Sequence, residues 1–217
     1  MRFRSREFAG QELAVRMLEW ASSGDLANVT VLALPRGGVP VGAEIARAMQ
    51  VPLDVVVVRR VGVPWSSEVG VGAIAGDDPP VFDRTGLRAM NLTADRLGPE
   101  VARARVELRH RERVYRGGRP APDIAGHSVV VVDDGLVTGI TALAALRHLR
   151  RGAPLRLTLA VPVCGRETAA ALREEADDVV SLYLPERVRS VGEWYDDYHP
   201  VSDQDVLDAL RELHPAP

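Results

Sequence analysis

A chain of 217 residues suits one α/β domain with a small appendage and can bury roughly 70% of its unfolded surface. A net charge of −3 gives no general pull toward nucleic acid or anionic membrane, and no apolar run is long enough to span a bilayer. The single Cys164 excludes an intrachain disulfide and fits a reducing, cytoplasmic setting, while the absence of lysine (all 27 basic residues are arginine) excludes lysine chemistry.

The start Met-Arg-Phe-Arg-Ser-Arg lacks the apolar core of a signal peptide. Residues 5–21 follow with a helical apolar pattern through Phe8, Leu13, Val15 and Leu18. Val29–Leu34 reads as a first central strand, Val39–Met49 as the helix after it, and Leu53–Val58 as a second buried strand. Glycine and proline recur from Val61 to Pro80, leaving room for a short strand at Val69–Ala75. Leu97–Tyr115 is a long helix dense in arginine and glutamate, whose mixed charges at three- and four-residue spacing suit a solvated face better than a nucleic-acid stripe. Gly117–Pro122 breaks the chain. A strand at Val129–Val132 is followed by a helix (Ile140–Arg151), a strand (Leu155–Val161), a helix (Glu167–Glu175) and a strand (Val179–Leu184). An aromatic and acidic piece (Pro185–His199) and a helix from Asp203 complete it. Strands alternating with helices predict an α/β fold with a parallel central sheet flanked by helices. The five histidines lack metal-ligand spacing, so no zinc site is expected.

The chemistry concentrates at residues 128–141. Val129–Val132 is β-branched without alternation, as in a strand covered on both faces. Asp133 and Asp134 emerge at its carboxyl end, where open α/β sheets keep their ligand crevice. The loop Gly135-Leu136-Val137-Thr138-Gly139 then leads into a helix whose first N–H groups suit an anion, with Thr138 and Thr141 adding hydroxyl donors. Groups suited to sugar hydroxyls thus stand beside groups suited to phosphate, and a phosphorylated sugar is the natural ligand. Receiver and P-loop chemistry would each need a lysine, and a dinucleotide fold would place its glycines before the acid.

A second loop, Leu34-Pro35-Arg36-Gly37-Gly38-Val39-Pro40, sits between the first strand and its helix. Its glycines let backbone N–H groups approach an anion, and Arg36 can fork onto phosphate oxygens. After the next strand come Arg59 and Arg60, then Gly62, Pro64, Trp65, Ser66, Ser67 and Glu68. Two adjacent cations there suit an anionic ligand, with each charge pair at ~5 Å worth about 3 kcal/mol if partly shielded; they suit surface salt bridges as well. Trp194, Tyr195 and Tyr198 could stack on a planar base or pack the C-terminal piece onto the first helix.

Val129–Thr141 resembles the phosphoribosyl pyrophosphate signature of type I phosphoribosyltransferases, departing from it at Gly135, often aliphatic, and at Val137, an aspartate in members acting on 6-oxopurines. The resemblance covers most of residues 29–200. It implies one phosphoribosyltransferase-like domain over 1–217, with a hood from about 1–22 and 185–217, and a non-proline cis peptide at Pro35–Arg36 or Arg36–Gly37. It further implies transfer of the 5-phosphoribosyl group from phosphoribosyl pyrophosphate to a small nitrogenous base, with Mg2+ as cofactor. Arg36, Gly37 and Gly38 would hold the pyrophosphate, the Gly135–Thr141 loop the 5′-phosphate, and Asp133 and Asp134 the ribose hydroxyls. Arg59 and Arg60 would open a mobile loop closing over the reacting centre, with Arg60 acting in catalysis, while Trp194 and Tyr195 contact the base and Asp196 the magnesium. Relatives commonly dimerise, so a homodimer fits. The same residues would serve a non-catalytic sensor of phosphoribosyl pyrophosphate or a nucleotide.

Overall fold

The computed structural model describes residues 2–22 and 28–213; Met1 and residues 23–27 and 214–217, which include both outer ends of the expected hood, lie outside it, as do the side chains of Ser67 and Glu68. Helix α1 (Arg6–Ser22) is followed by β1 (Thr30–Ala33), α2 (Gly38–Met49) and β2 (Leu53–Val55). Next come β3 (Val58–Val63), β4 (Ser66–Ala75), β5 (Val81–Phe82), α3 (Arg84–Ala89) and α4 (Gly98–Arg116). The remainder alternates: β6 (Ser128–Val132), α5 (Ile140–Arg150), β7 (Arg156–Val163), α6 (Arg166–Leu172) and β8 (Asp178–Tyr183), with α7 (Asp203–Leu213) at the end.

Five strands form a parallel sheet in the order β2-β1-β6-β7-β8. Both faces are covered, which is why Val129–Val132 can be fully buried without alternation. On one face α1, α2 and α7 pack with Leu13, Met17, Ile45, Val206 and Leu210; on the other, Leu146 and Leu149 of α5 and Leu172 of α6 meet Val129, Val131 and Leu157. From β1 the chain leaves through α2 toward β2, and from β6 through α5 toward β7. The carboxyl ends of β1 and β6 therefore flank a topological switch point, where such sheets open a crevice.

Two expectations are corrected. The run Leu53–Val58 is not one strand: β2 stops at Val55, and Val58 begins β3, which pairs antiparallel with β4 in a separate β3-β4-β5 sheet. Unbroken hydrophobicity hid the turn, because Val56 and Val57 are buried within it. In α1 the buried stripe is Arg6, Ala9, Gly10, Leu13, Ala14 and Met17, while Val15 and Leu18 face outward. Small residues line this stripe because α1 lies close against α2: a Cβ on Gly10 would sit 2.9 Å from the Glu44 Cβ.

Candidate active site

The two glycine loops converge at the switch point. The N–H of Leu34 donates to the Val132 carbonyl at 2.8 Å, carrying the pairing of β1 and β6 up to the loops. The Pro35–Arg36 peptide is cis, as the resemblance implies. Beyond it the chain runs so close to the acids that a Cβ on Gly38 would lie 2.5 Å from the Val132 carbonyl oxygen and 2.9 Å from the Asp133 Cα, and one on Gly37 would fall on the Asp134 carboxylate. Arg36 is exposed and only loosely tethered, its Nη1 3.7 Å from Asp203.

The adjacent acids are not equivalent. Asp134 is buried: its Oδ2 accepts from Arg6 Nε at 2.7 Å and from the Tyr198 hydroxyl at 3.0 Å, and its carbonyl accepts from the Tyr195 hydroxyl at 2.6 Å. Arg6 also donates to the His199 carbonyl at 2.8 Å and lies 3.8 Å from the Tyr198 ring centroid, a cation–π contact. Burial works against the Arg6 charge, but the bond and attraction to Asp134 outweigh it and raise its pKa. Burial also raises the pKa values of Tyr195 and Tyr198, with the Asp134 charge adding to both, so their hydroxyls stay protonated donors. Asp133 keeps part of its surface accessible and accepts the N–H of Asp134 at 2.9 Å. Enclosure by its surroundings, and then the neighbouring Asp134 charge, push its pKa up. Asp133 is thus the acid left to meet a ligand.

In the second loop Val137 and Thr138 are exposed, and the Val137 carbonyl is held by the Thr168 hydroxyl at 3.1 Å. Gly139 adopts a left-handed φ of 71° before α5 and provides no side-chain cap; the Ile140 N–H reaches the Thr138 hydroxyl at 3.4 Å, and Thr141 lies partly exposed in the first turn, where the N–H groups of a helix suit an anion. Leu136 departs from its expected part. Its side chain is buried and its N–H is spent on the Val163 carbonyl at 2.9 Å, so it anchors the loop. Gly135 is buried beneath Val191, where a Cβ would approach both Val163 and Val191 at 2.9 Å.

Arg59 and Arg60 do not open a loop. Both lie within β3, where Arg59 is paired with Glu107 of α4, and Arg60 is exposed with no partner among the described residues. Trp65, 66% exposed, occupies the β3–β4 turn. The terminal segments meet: the Phe3 N–H donates to the Trp194 carbonyl at 2.7 Å and the Asp196 N–H to the Phe3 carbonyl at 2.8 Å. Tyr195 is buried against Phe3 and Ala9, so its ring does not stack on a ligand; its place is to support Asp134. Trp194 stacks on Tyr183 at 5.9 Å. Asp196, the residue expected to contact magnesium, is exposed and faces Arg2 at 3.5 Å. Sequence reasoning missed Arg6. Its one signal was a charged residue at a position that helical spacing places on the buried face of α1.

A family model described as a phosphoribosyl transferase domain matches residues 9–197. A Mycobacterium tuberculosis protein provisionally named a phosphoribosyl transferase is 37% identical over 212 residues, covering 98% of this chain and 47% of its own length. The chain thus spans about half the length of the curated relatives it matches. The crystal structure of TT1426 from Thermus thermophilus superposes with a TM-score of 0.78 at 39% identity, covering 99% of this chain and 100% of that one. AQ2163 from Aquifex aeolicus, at 12% identity and TM-score 0.53 over 86% of this chain and 78% of that one, shares the fold.

Proposed function

Because the chain belongs to the phosphoribosyl transferase family, in its type I form, we propose that it transfers the 5-phosphoribosyl group of phosphoribosyl pyrophosphate to a ring nitrogen of a small base, of the nucleobase kind, and releases pyrophosphate. The observation that carries this reading is the contact of the Gly37–Gly38 backbone with Asp133 and Asp134, which sets an anion loop against an acid at the switch point. In the reaction the bond from the anomeric carbon to the pyrophosphate oxygen breaks and its electron pair leaves with pyrophosphate. The base nitrogen forms the new bond and gives up its proton. Charge develops at the ring carbon and on the leaving group, so catalysis rests on alignment and electrostatic stabilisation, without an enzyme nucleophile.

Arg36 and the N–H of Gly37 bind the leaving group, while the Gly38 N–H, donated to the Leu34 carbonyl at 3.0 Å, holds the loop in shape. Asp133 holds the ribose hydroxyls, and Asp134, fixed by Arg6, positions it. Thr138, Thr141 and the N-terminus of α5 receive the 5′-phosphate. Arg60, free of any described partner, is the cation the β3–β4 hairpin can bring to the pyrophosphate, whereas Arg59 is restrained by Glu107. The segments on either side of the Phe3–Tyr195 bridge form the hood over the base, with Trp194 and Tyr198 retaining accessible ring surface. The donors present fit magnesium: one free carboxylate at the crevice suffices for an ion that takes most of its oxygens from substrate phosphates and water. When bound it would offset repulsion between that carboxylate and pyrophosphate.

A ligand sensor without turnover is favoured by one feature: Asp134 is buried with its Oδ2 taken by both Arg6 and Tyr198, leaving Asp133 the more accessible acid. Pyrophosphate release from phosphoribosyl pyrophosphate and magnesium, measured across a panel of purine and pyrimidine bases, separates the two. Release dependent on one base is the expected result. Tight binding of phosphoribosyl pyrophosphate with no release for any base would identify a sensor, and absence of binding would overturn both.

A further inference from the structure

The proposed transfer leaves unused a recess where β2, the C-terminal turns of α4 and α5, and the Gly76–Asp78 turn meet. Its volume is about 320 Å³, and its floor is apolar: Leu32, Val56, Ile124 and Leu149. The wall is built from fixed parts. Asp78 is gripped by His148 Nδ1 at 3.2 Å and Arg151 Nη1 at 2.6 Å, while Arg105 holds the carbonyls of Gly76 and Asp78, each at 3.0 Å.

Two polar groups on this wall keep hydrogen-bonding capacity unmet among the described residues. Arg116 donates through Nη2 to the Val55 carbonyl at 3.1 Å, but its Nη1 is buried without a partner among the described residues. Glu112, one turn earlier on α4, makes neither a hydrogen bond nor an ion pair there; burial raises its pKa against the weaker attraction of Arg116, His148 and Arg109. A buried donor and an idle carboxyl beside an apolar floor are costly unless an occupant satisfies them. A purely aliphatic occupant would leave both unmet; a heteroaromatic ring, apolar on its faces and hydrogen-bonding along its edge, would satisfy floor and wall together.

Glu112 and Arg116 are shared with a second, open groove of about 430 Å³ that continues past Arg113 and Arg119. These two arginines spend their Nε groups on the carbonyls of Arg109 and Arg116, at 3.3 and 3.1 Å, and neither meets a carboxylate among the described residues. An apolar recess with a hydrogen-bonding wall thus opens onto a shelf of uncompensated guanidinium groups, which favour phosphate oxygens.

We propose that this composite recess binds a nucleoside phosphate, with the base over Leu32 and Ile124 between Glu112 and Arg116 and the phosphate on Arg113 and Arg119. None of the loop residues assigned to phosphoribosyl transfer lines it, so the site stands or falls independently of that reaction.

The test uses AMP, GMP, CMP and UMP, with inorganic phosphate as the control ion, on the full chain by titration calorimetry, together with photolabelling by azido-nucleotides and peptide mapping. Two variants block opposite ends of the site. Ala121→Trp adds bulk at an exposed position on the mouth, and Arg113→Glu/Arg119→Glu reverses the shelf without touching the core. At least one nucleoside monophosphate should bind, label peptides spanning 105–124, and lose tenfold or more in affinity in each variant. Should Ala121→Trp fail to fold, the exposed arginine pair still decides. Labelling confined to 133–141, unchanged affinity in the variants, no binding, or phosphate binding as tightly as the nucleotide (an adventitious ion only) would each overturn the proposal.

Discussion

Asp133 and Asp134 are chemically identical neighbours that the fold has separated into different jobs. Asp134 lies in a buried ion pair with Arg6, so removing its charge leaves a guanidinium uncompensated, a loss that costs about 3–5 kcal/mol in such settings. Asp133 has the opposite sign. Its folded pKa is raised by enclosure and by Asp134. Its contribution to stability is therefore fully present below its unfolded pKa, near 4, and is lost as pH rises through the higher folded value. Asp133→Asn should thus gain stability relative to the parent protein between pH 4.5 and 7.5 while losing pyrophosphate release, and Asp134→Asn should unfold at markedly lower urea at neutral pH. Urea titrations at the two pH values check both. Equal midpoints for Asp134→Asn and the parent protein would show that the pair does not stabilise the fold. The sequence placed both acids at the strand's end correctly, but their division of labour depends on Arg6, 128 residues away, and no local pattern carries that partnership.

At the scale of elements, the parallel sheet and the placement of its two loops were readable because each rests on a local rule: β-branched runs for buried strands, glycine-rich turns between a strand and the helix after it. The β3–β4–β5 sheet was not, since Val56 and Val57 bridge two strands without interrupting the apolar run, and Arg59 and Arg60 look the same in sequence whether they open a loop or continue a strand. The contact between the Gly38 loop and the end of β6 gives a test of loop convergence. An alanine Cβ there would meet only backbone atoms, at 2.5 and 2.9 Å, which cannot swing aside as a side chain could. Overpacking of this kind costs about 1–3 kcal/mol. Gly38→Ala should lower the melting temperature and raise the KM for phosphoribosyl pyrophosphate. Gly98→Ala, at a helical φ of −52° with nothing within 4 Å of the new methyl, should change neither adversely. Matching behaviour of the two variants would mean that the loops are not held together as described.

Across the whole molecule, the terminal segments meet the end of β6 at a buried polar centre. Phe3 pairs with the 194–196 backbone and packs on Tyr195; Tyr195 and Tyr198 reach Asp134; Arg6 links Asp134 to the His199 carbonyl. This places a structural ion pair directly beneath the acid assigned to the ribose, so stability and alignment share a residue. Arg6→Met strands the Asp134 carboxylate and should cost about 3–5 kcal/mol, whereas Arg6→Met/Asp134→Leu, which replaces the pair with apolar groups, should recover much of it. Activity should not follow stability back. Without the Arg6–Asp134 bond, the Asp134 side chain loses its charged anchor and only the Tyr195 hydroxyl still holds its carbonyl, so the backbone that presents Asp133 is less firmly placed, and a displacement near 1 Å at a reacting centre can cost about 10²-fold in rate. The double variant is therefore expected to melt close to the parent protein while its kcat/KM for pyrophosphate release stays depressed by about that factor. Recovery of both quantities together would show that the buried pair serves only the fold, and loss of both would show that Asp134 is needed for folding in its own right.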